Sequence, residues 1–252
     1  VAGLHGVEQG PNHHLDVHGH TLAVLEHTLE IEADLERFAG ERAAELGALL
    51  AEPLADDMTR ATALRFGALF HDIGKPATRG EREGYVTFIG HDREGARIVG
   101  ELCGRLRASH RLSEHLRALT FHHLRLGFLV HEMPLPPRRV HEYLRETGPV
   151  APDVTLLTVA DRLSARGNGP FATEEMVGAH LTLAAQMLAA ALDWRREGPP
   201  PPLLRGDELA AALDLDPGPE LGELLAELEA AQYAGEVKTR EEALEHLRRL
   251  RG

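Results

Sequence analysis

At 252 residues the chain is long enough for one large domain, or one domain with a small appendage; 43% apolar residues can fill a core, and 4% aromatics beside abundant Leu and Ala favour helices over sheets. A formal net charge of -13 repels a phosphate backbone, which disfavours long nucleic acid but leaves room for a small phosphorylated substrate drawn to a local cation. One cysteine, Cys103, excludes a disulfide framework and a cysteine-based zinc site and points to a reducing, cytoplasmic setting, while no run nears the roughly 18 apolar residues of a membrane span.

Residues 1–14 read as irregular, with Gly3, Gly6, Gly10 and Pro11. A helical pattern runs from Asp16 to Phe38 with Leu22, Leu25 and Leu29 on one stripe, and Gly40 ends it. A short helix is expected over 41–51 and another over 58–73, stopped by Gly74-Lys75-Pro76. Residues 75–90 read as a loop with a small hairpin over Tyr85 to Ile89. Helices then fit 91–107, 112–124, 136–146, 152–166 and 173–195. The four prolines of 199–202 follow Gly198 and cannot sit inside a helix, so 198–202 is read as a linker between a domain of 1–197 and a helical tail of 203–252. Short helices are expected in the tail near 206–213, 218–232 and 239–249; its leucines Leu209, Leu213, Leu221, Leu224, Leu225 and Leu228 suggest packing on the main body or on another subunit, which keeps a homo-oligomer open.

The 16 histidines make their placement the main question, because imidazole is the commonest metal ligand. His71 and Asp72 end a helix whose apolar stripe includes Leu64 and Ala68. A carboxylate emerging from a core-facing side is costly unless it is paired or holds a metal. Asp161 shares a stripe with Val154 and Leu157, His20 with Val24, His27 and Ile31, His91 with Gly95, Ile98 and Leu102, and His123 with Leu112, Leu116 and Leu119. Any one of these taken alone is a satisfied core histidine or a helix-end acid. Five helices offering inward His or Asp together are hard to explain by packing. Such donors suit a divalent cation, with Mn, Fe, Ni, Mg and Zn not distinguished.

The order His20, His71-Asp72, Asp161 resembles the HD superfamily of phosphohydrolases. More closely, Asn12-His13-His14-Leu15-Asp16-Val17, the stretch His71 to Arg79, and Gly90-His91-Asp92 resemble the HD domain that follows the head of bacterial tRNA nucleotidyltransferases. The tail shares that likeness at Gly206-Asp207-Glu208-Leu209, Pro217-Gly218-Pro219 and the stretch Gly235 to Ala243. The resemblance implies an all-α bundle with a short helical appendage and a metal held by His20, His71, Asp72 and Asp161. Relatives with two metals add histidines matching His91 and the pair His122-His123; His123 is preferred because it shares the apolar stripe, with His122 as a co-ligand. The nucleotidyltransferase head and its paired aspartates have no match here, so nucleotide addition is not expected of this chain. It is read as a standalone protein of that lineage or as a piece of a longer enzyme.

A divalent cation lowers the pKa of water from 15.7 to about 7, and two ions roughly 3.5–4 Å apart can share a nucleophile and a phosphate. Asp72 is then the natural bridging ligand. Lys75 is read either as a point charge for a phosphate oxygen or as a solvated lysine, and Arg93, Arg125 and Arg162 as weaker phosphate candidates. Asp16 is read equally as an outer partner of the site or as a helix N-cap. His27, His110, His115, His131, His141, His180 and His246 are left as surface or structural. The expected activity is hydrolysis of phosphodiesters or phosphomonoesters on nucleotides or RNA 3′ ends, of the 2′,3′-cyclic phosphodiesterase or phosphatase type. Two other readings are hydrolysis of nucleoside polyphosphates, and a tRNA-binding module with a vestigial site, supported by Arg138-Arg139 and Arg248-Arg249-Leu250-Arg251.

Overall fold

The computed structural model describes residues 1–251. The helices are α1 (Val17–Ala33), α2 (Leu35–Ala39), α3 (Ala43–Leu50), α4 (Arg60–Phe70), α5 (Lys75–Thr78), α6 (His91–Leu106), α7 (His110–His122), α8 (Arg125–Leu129), α9 (Pro137–Thr147), α10 (Ala151–Ser164), α11 (Glu174–Glu197), α12 (Gly206–Leu213), α13 (Pro219–Tyr233) and α14 (Arg240–Arg251). Two small antiparallel hairpins interrupt them, β1 (Pro53–Ala55) with β2 (Met58–Thr59), and β3 (Gly80–Arg82) with β4 (Tyr85–Thr87). The fold is an all-α bundle with a short helical appendage, as expected.

Several local expectations need correction. The long helix from Asp16 breaks at Asp34, whose backbone leaves helical geometry and whose side chain accepts from the Arg37 N–H, so one residue ends α1 and starts α2. The buried stripe of α1 is Val17, His20, Thr21, Val24, Thr28 and Ile31, while Leu22 and Leu29 stand 41% and 43% exposed. Thr21 and Thr28 could take inner positions because their hydroxyls donate to the Val17 and Val24 carbonyls one turn back. The first hairpin turns on Asp56 and Asp57, both at positive φ, which short polar side chains tolerate.

The chain divides into two units, one of Val1–Met133 with Thr147–Leu192, the other of Pro134–Glu146 with the chain from Asp193 onward. In the first, α10 is buried on nearly every side and packs on α1, α4 and α7, so four helices share one core. Arg60 of α4 donates to the Pro149 carbonyl at 2.9 Å and pairs with Asp153, both charges deep in that core. The apolar helix α11 is long enough to cross a membrane by length and composition; within this unit it buries Val177, His180, Leu183, Ala184, Met187 and Leu188.

The second unit has a core of its own, with Leu204, Leu209, Leu228, Ala231, Val237, Ala243 and Leu247 buried and Leu213, Leu221, Leu224 and Leu225 packed on them. The tail leucines thus serve one another. The segment 134–146, which the sequence groups with 1–197, belongs to this unit: Arg138 grips Glu227 at 2.8 and 2.9 Å and Glu236 at 2.6 and 2.7 Å, and His141 meets Glu229 at 3.0 Å between the rings of Trp194 and Tyr233.

Candidate metal centre

Helix α4 starts on the Thr59 N-cap and delivers His71 and Asp72 at its C-terminal end, where Ile73-Gly74 turns the chain into α5. At Gly74 a Cβ would strike the His91 carbonyl and come within 2.6 Å of the Gly95 backbone nitrogen. Only glycine lets the turn press against the start of α6, and that contact brings Asp72 to His91. Helix α7 supplies His123 at its C-cap, α1 supplies His20, and α10 supplies Asp161.

Asp72 lies at the centre. His71 Nε2 is 3.2 Å and His20 Nε2 3.6 Å from its Oδ2, while His91 Nε2 and His123 Nε2 lie 3.3 and 3.7 Å from its Oδ1. His20 Nε2 also sits 3.0 Å from Asp161 Oδ1. The six residues form two groups able to hold a metal ion, His20 with His71 and Asp161, and Asp72 with His91 and His123. Lys75 is buried, with Nζ 2.6 Å from Asp72 Oδ2 and 2.6 Å from Gln9 Oε1. It is therefore not a solvated lysine.

Backbone carbonyls set the tautomers. His71 Nδ1 faces the Ala68 carbonyl at 2.8 Å, His91 Nδ1 that of Phe88 at 2.7 Å, and His123 Nδ1 that of Thr120 at 2.7 Å. A carbonyl only accepts, so each Nδ1 carries a proton and each ring turns its Nε2 into the cluster. His71 Nε2 and both nitrogens of His20 close no hydrogen bond there, despite being buried. Imidazole nitrogens and carboxylates converging in this way are what a cation requires, with the outer nitrogens fixed as metal-ligating imidazoles usually are.

The electrostatics agree. Burial works against Asp72, yet His71 and Lys75 outweigh it and hold the carboxyl well below the ordinary range. Asp161 is likewise lowered against its burial by His20 and His71. Burial, with His71 and His91 nearby, pushes His123 down to about 3 and keeps it neutral. His71 alone is raised, because Asp72 overcomes its burial.

The family model described as HD domain matches residues 17–166, a span that contains all six clustered residues. The chain belongs to the HD-domain family. It is similar to an A-adding tRNA nucleotidyltransferase from Deinococcus radiodurans, 32% identical over 240 residues that cover 94% of the chain and 47% of the relative. It is also similar to a CC-adding tRNA nucleotidyltransferase from Thermus thermophilus, 31% identical over 256 residues that cover 100% of the chain and 49% of the relative. The chain thus spans about half the length of these curated relatives.

The HD domain treats the remaining candidates unequally. His122 belongs to neither group; its Nδ1 accepts from Arg125 Nε at 2.7 Å, which ties both side chains to each other. Asp16 is the N-cap of α1, accepting from Gly19 N at 2.8 Å and Gly6 N at 2.7 Å. Two histidines outside the candidate set do reach the site. His13 meets the His20 ring edge-on at 4.6 Å, and His180 is buried with neither ring nitrogen hydrogen-bonded, the Thr158 carbonyl facing it without closing a bond. Burial, aided by His20, lowers His13 to about 3; burial, aided by Arg162, lowers His180 to about 4. His180 was legible in principle, since it shares a stripe with Val177, Ala184 and Met187. His13 precedes α1 in irregular chain, where no periodicity marks it. Both line a cavity of about 380 Å³ that opens beside Asp161 and His123.

Proposed function

We propose that the chain is a metal-dependent phosphohydrolase acting on phosphodiesters or phosphomonoesters of nucleotides or RNA 3′ ends, of the 2′,3′-cyclic phosphodiesterase or phosphatase type. The observation that carries this is the set of Nε2 atoms turned on Asp72 with their Nδ1 protons fixed outside. His20, His71, Asp161 and Asp72, with His91 and His123, are the residues that would hold divalent metal, and two ions would use both groups of the set. When bound, such a cation supplies Lewis acidity towards phosphoryl oxygen and makes hydroxide accessible at neutral pH.

The chain's own side chains would do the rest. Asp72 offers one oxygen to each group, so it couples them. Lys75 orients Asp72 through Oδ2 and adds a positive charge beside the cluster that an anionic ester would approach. His13 and His180, neutral on the open side, can donate or accept a hydrogen bond from a substrate. The family membership supports the reaction class, and the relatives' action on tRNA, as their names state, supports a nucleotide or RNA-end substrate. The rival reading as a tRNA clamp has weaker support: Arg138 is already held by Glu227 and Glu236, and Arg139 by Glu142.

The experiment is hydrolysis of 2′,3′-cyclic AMP and p-nitrophenyl phosphate by purified protein reloaded with Mn, Ni, Fe, Mg or Zn. Metal-dependent turnover of either ester is expected. Absence of turnover with every metal would remove the enzyme reading and favour the binding module.

A further inference from the structure

The cavity beside the cluster has a mixed lining: Asp161, His123, His13, His180 and Arg162 are polar, while Leu124, Phe128, Ala165 and Phe171 are apolar. Aromatics are scarce in this chain, yet the two phenylalanines that are conspicuously exposed, Phe128 at 68% and Phe171 at 43%, both line this one cavity. An exposed aromatic ring is hard to explain by packing, and it is a surface on which a planar ring stacks.

The aromatic wall is built. The chain after α10 is tied back to the segment before α1, with Gly167 N donating to the Asn12 carbonyl at 2.9 Å, Gly169 N to the Pro11 carbonyl at 2.8 Å and Phe171 N to Asn12 Oδ1 at 3.0 Å. A Cβ at Gly167 or Gly169 would run into Pro11 and Asn12, so this clasp needs glycine at both places. Arg162, next to Asp161, donates Nη1 to the Phe171 carbonyl at 2.8 Å, and the His131 ring braces the Phe171 ring edge-on at 5.4 Å. The segment carrying Phe171 is thereby fixed to the residue following a cluster carboxylate. His180, buried with neither ring nitrogen hydrogen-bonded, lines the same cavity.

We propose that Phe128 and Phe171 form a base-binding subsite, so that the site takes a nucleotide with its phosphate towards the His–Asp cluster and its base against these two rings. This rests on the phosphohydrolase reading and makes it specific: the cavity selects ligands that join an anion to a flat ring, and His180 is the polar contact between them. At about 380 Å³ the cavity falls in the size range of small-ligand pockets.

The test is calorimetric titration of the metal-reconstituted protein with adenosine monophosphate and with ribose phosphate, which lacks the base. Wild type should bind the nucleotide at least about fivefold more tightly, the lower end of what one base–aromatic stack contributes. Phe128→Ala, at an exposed position that cannot threaten folding, and Phe171→Leu, which keeps bulk but removes the π face, should each move the ratio of the two affinities towards one. Equal affinities in wild type, no binding of either ligand, or an unchanged ratio in both variants would overturn the subsite. Hydrolysis of p-nitrophenyl phosphate, measured in parallel, separates the two claims. A baseless affinity pattern with metal-dependent turnover overturns the subsite alone, and base-selective binding without turnover supports the subsite while removing the hydrolase.

Discussion

His91 Nε2 and His123 Nε2 face each other at 3.3 Å while each ring commits its Nδ1 proton to a backbone carbonyl. Two lone pairs in that position repel unless a cation or a proton stands between them or beside them. Asp72, within 3.3 and 3.7 Å of the same two atoms, shows which side a cation would take. The charge balance of the whole cluster follows from this arrangement.

Metal should therefore stabilise the fold by mass action. Free Mn or Ni at a hundred times its Kd should add about 2.7 kcal/mol to unfolding stability, read as a rise in Tm that chelator reverses. Protons compete for the same imidazole nitrogens, so the rise should shrink as the buffer is taken from about pH 7 to about pH 5. A Tm indifferent to metal and chelator would contradict the arrangement.

Without metal, stability should fall on acidification, and its sign can be worked out. His13 and His123 are lowered to about 3, and His122 and His180 to about 4, from an ordinary 6.5. The unfolded chain takes up these protons first, so stability is complete above about 6.5 and is lost as pH falls from there towards the folded values. His71, raised by Asp72 against its burial, acts oppositely, contributing below 6.5 and losing its share as pH rises through its folded value. Asp72 and Asp161 are lowered, so their share is present above 3.8 and lost only below it. His115 is lowered by burial as well, so five histidines against one predict a declining Tm in EDTA between about pH 7 and pH 4.5; a flat or rising Tm across that window would refute the balance.

Lys75 separates turnover from metal capture. Lys75→Met removes a cation that competes with metal for Asp72 Oδ2, so metal affinity should hold or rise. Turnover of 2′,3′-cyclic AMP should nevertheless fall tenfold or more, about 1.4 kcal/mol of transition-state stabilisation. Equal turnover in the variant would demote Lys75 to a structural partner of Gln9.

Much of this was legible in the sequence because inward-facing stripes carry it. Asp161 behind Val154 and Leu157, and His123 behind Leu112, Leu116 and Leu119, do lie on buried faces, and the core positions around them are filled. Stripes fail where polarity misleads. On α1 two threonines took the inner positions by bonding their own backbone, while Leu22 and Leu29 went to the surface. The helix break at Asp34 was hidden because one acid serves as both cap and stop. His13 and the Asn12 clasp lie in irregular chain, where long-range backbone hydrogen bonds leave no local trace. Adjacent His122 and His123 could be ranked by stripe, but the hydrogen bond from Arg125 to the first depends on the turn after α7 and has no sequence signal.

The core pair Arg60–Asp153 offers a check independent of function. Asp153→Ala leaves a buried guanidinium with the Pro149 carbonyl as its remaining partner at 2.9 Å. Breaking one side of such a pair costs about 3–5 kcal/mol, which urea unfolding of the variant should reproduce. A loss below about 1 kcal/mol would mean the pair is solvated in solution.

The most direct measurement is metal content by mass spectrometry on wild type and Asp72→Ala after reconstitution and desalting. The account predicts metal retained by wild type and lost from the variant, with far-ultraviolet circular dichroism showing that both remain helical. Wild type that retains no metal, or a folded Asp72→Ala protein that retains as much as wild type, would contradict a metal centre built on Asp72.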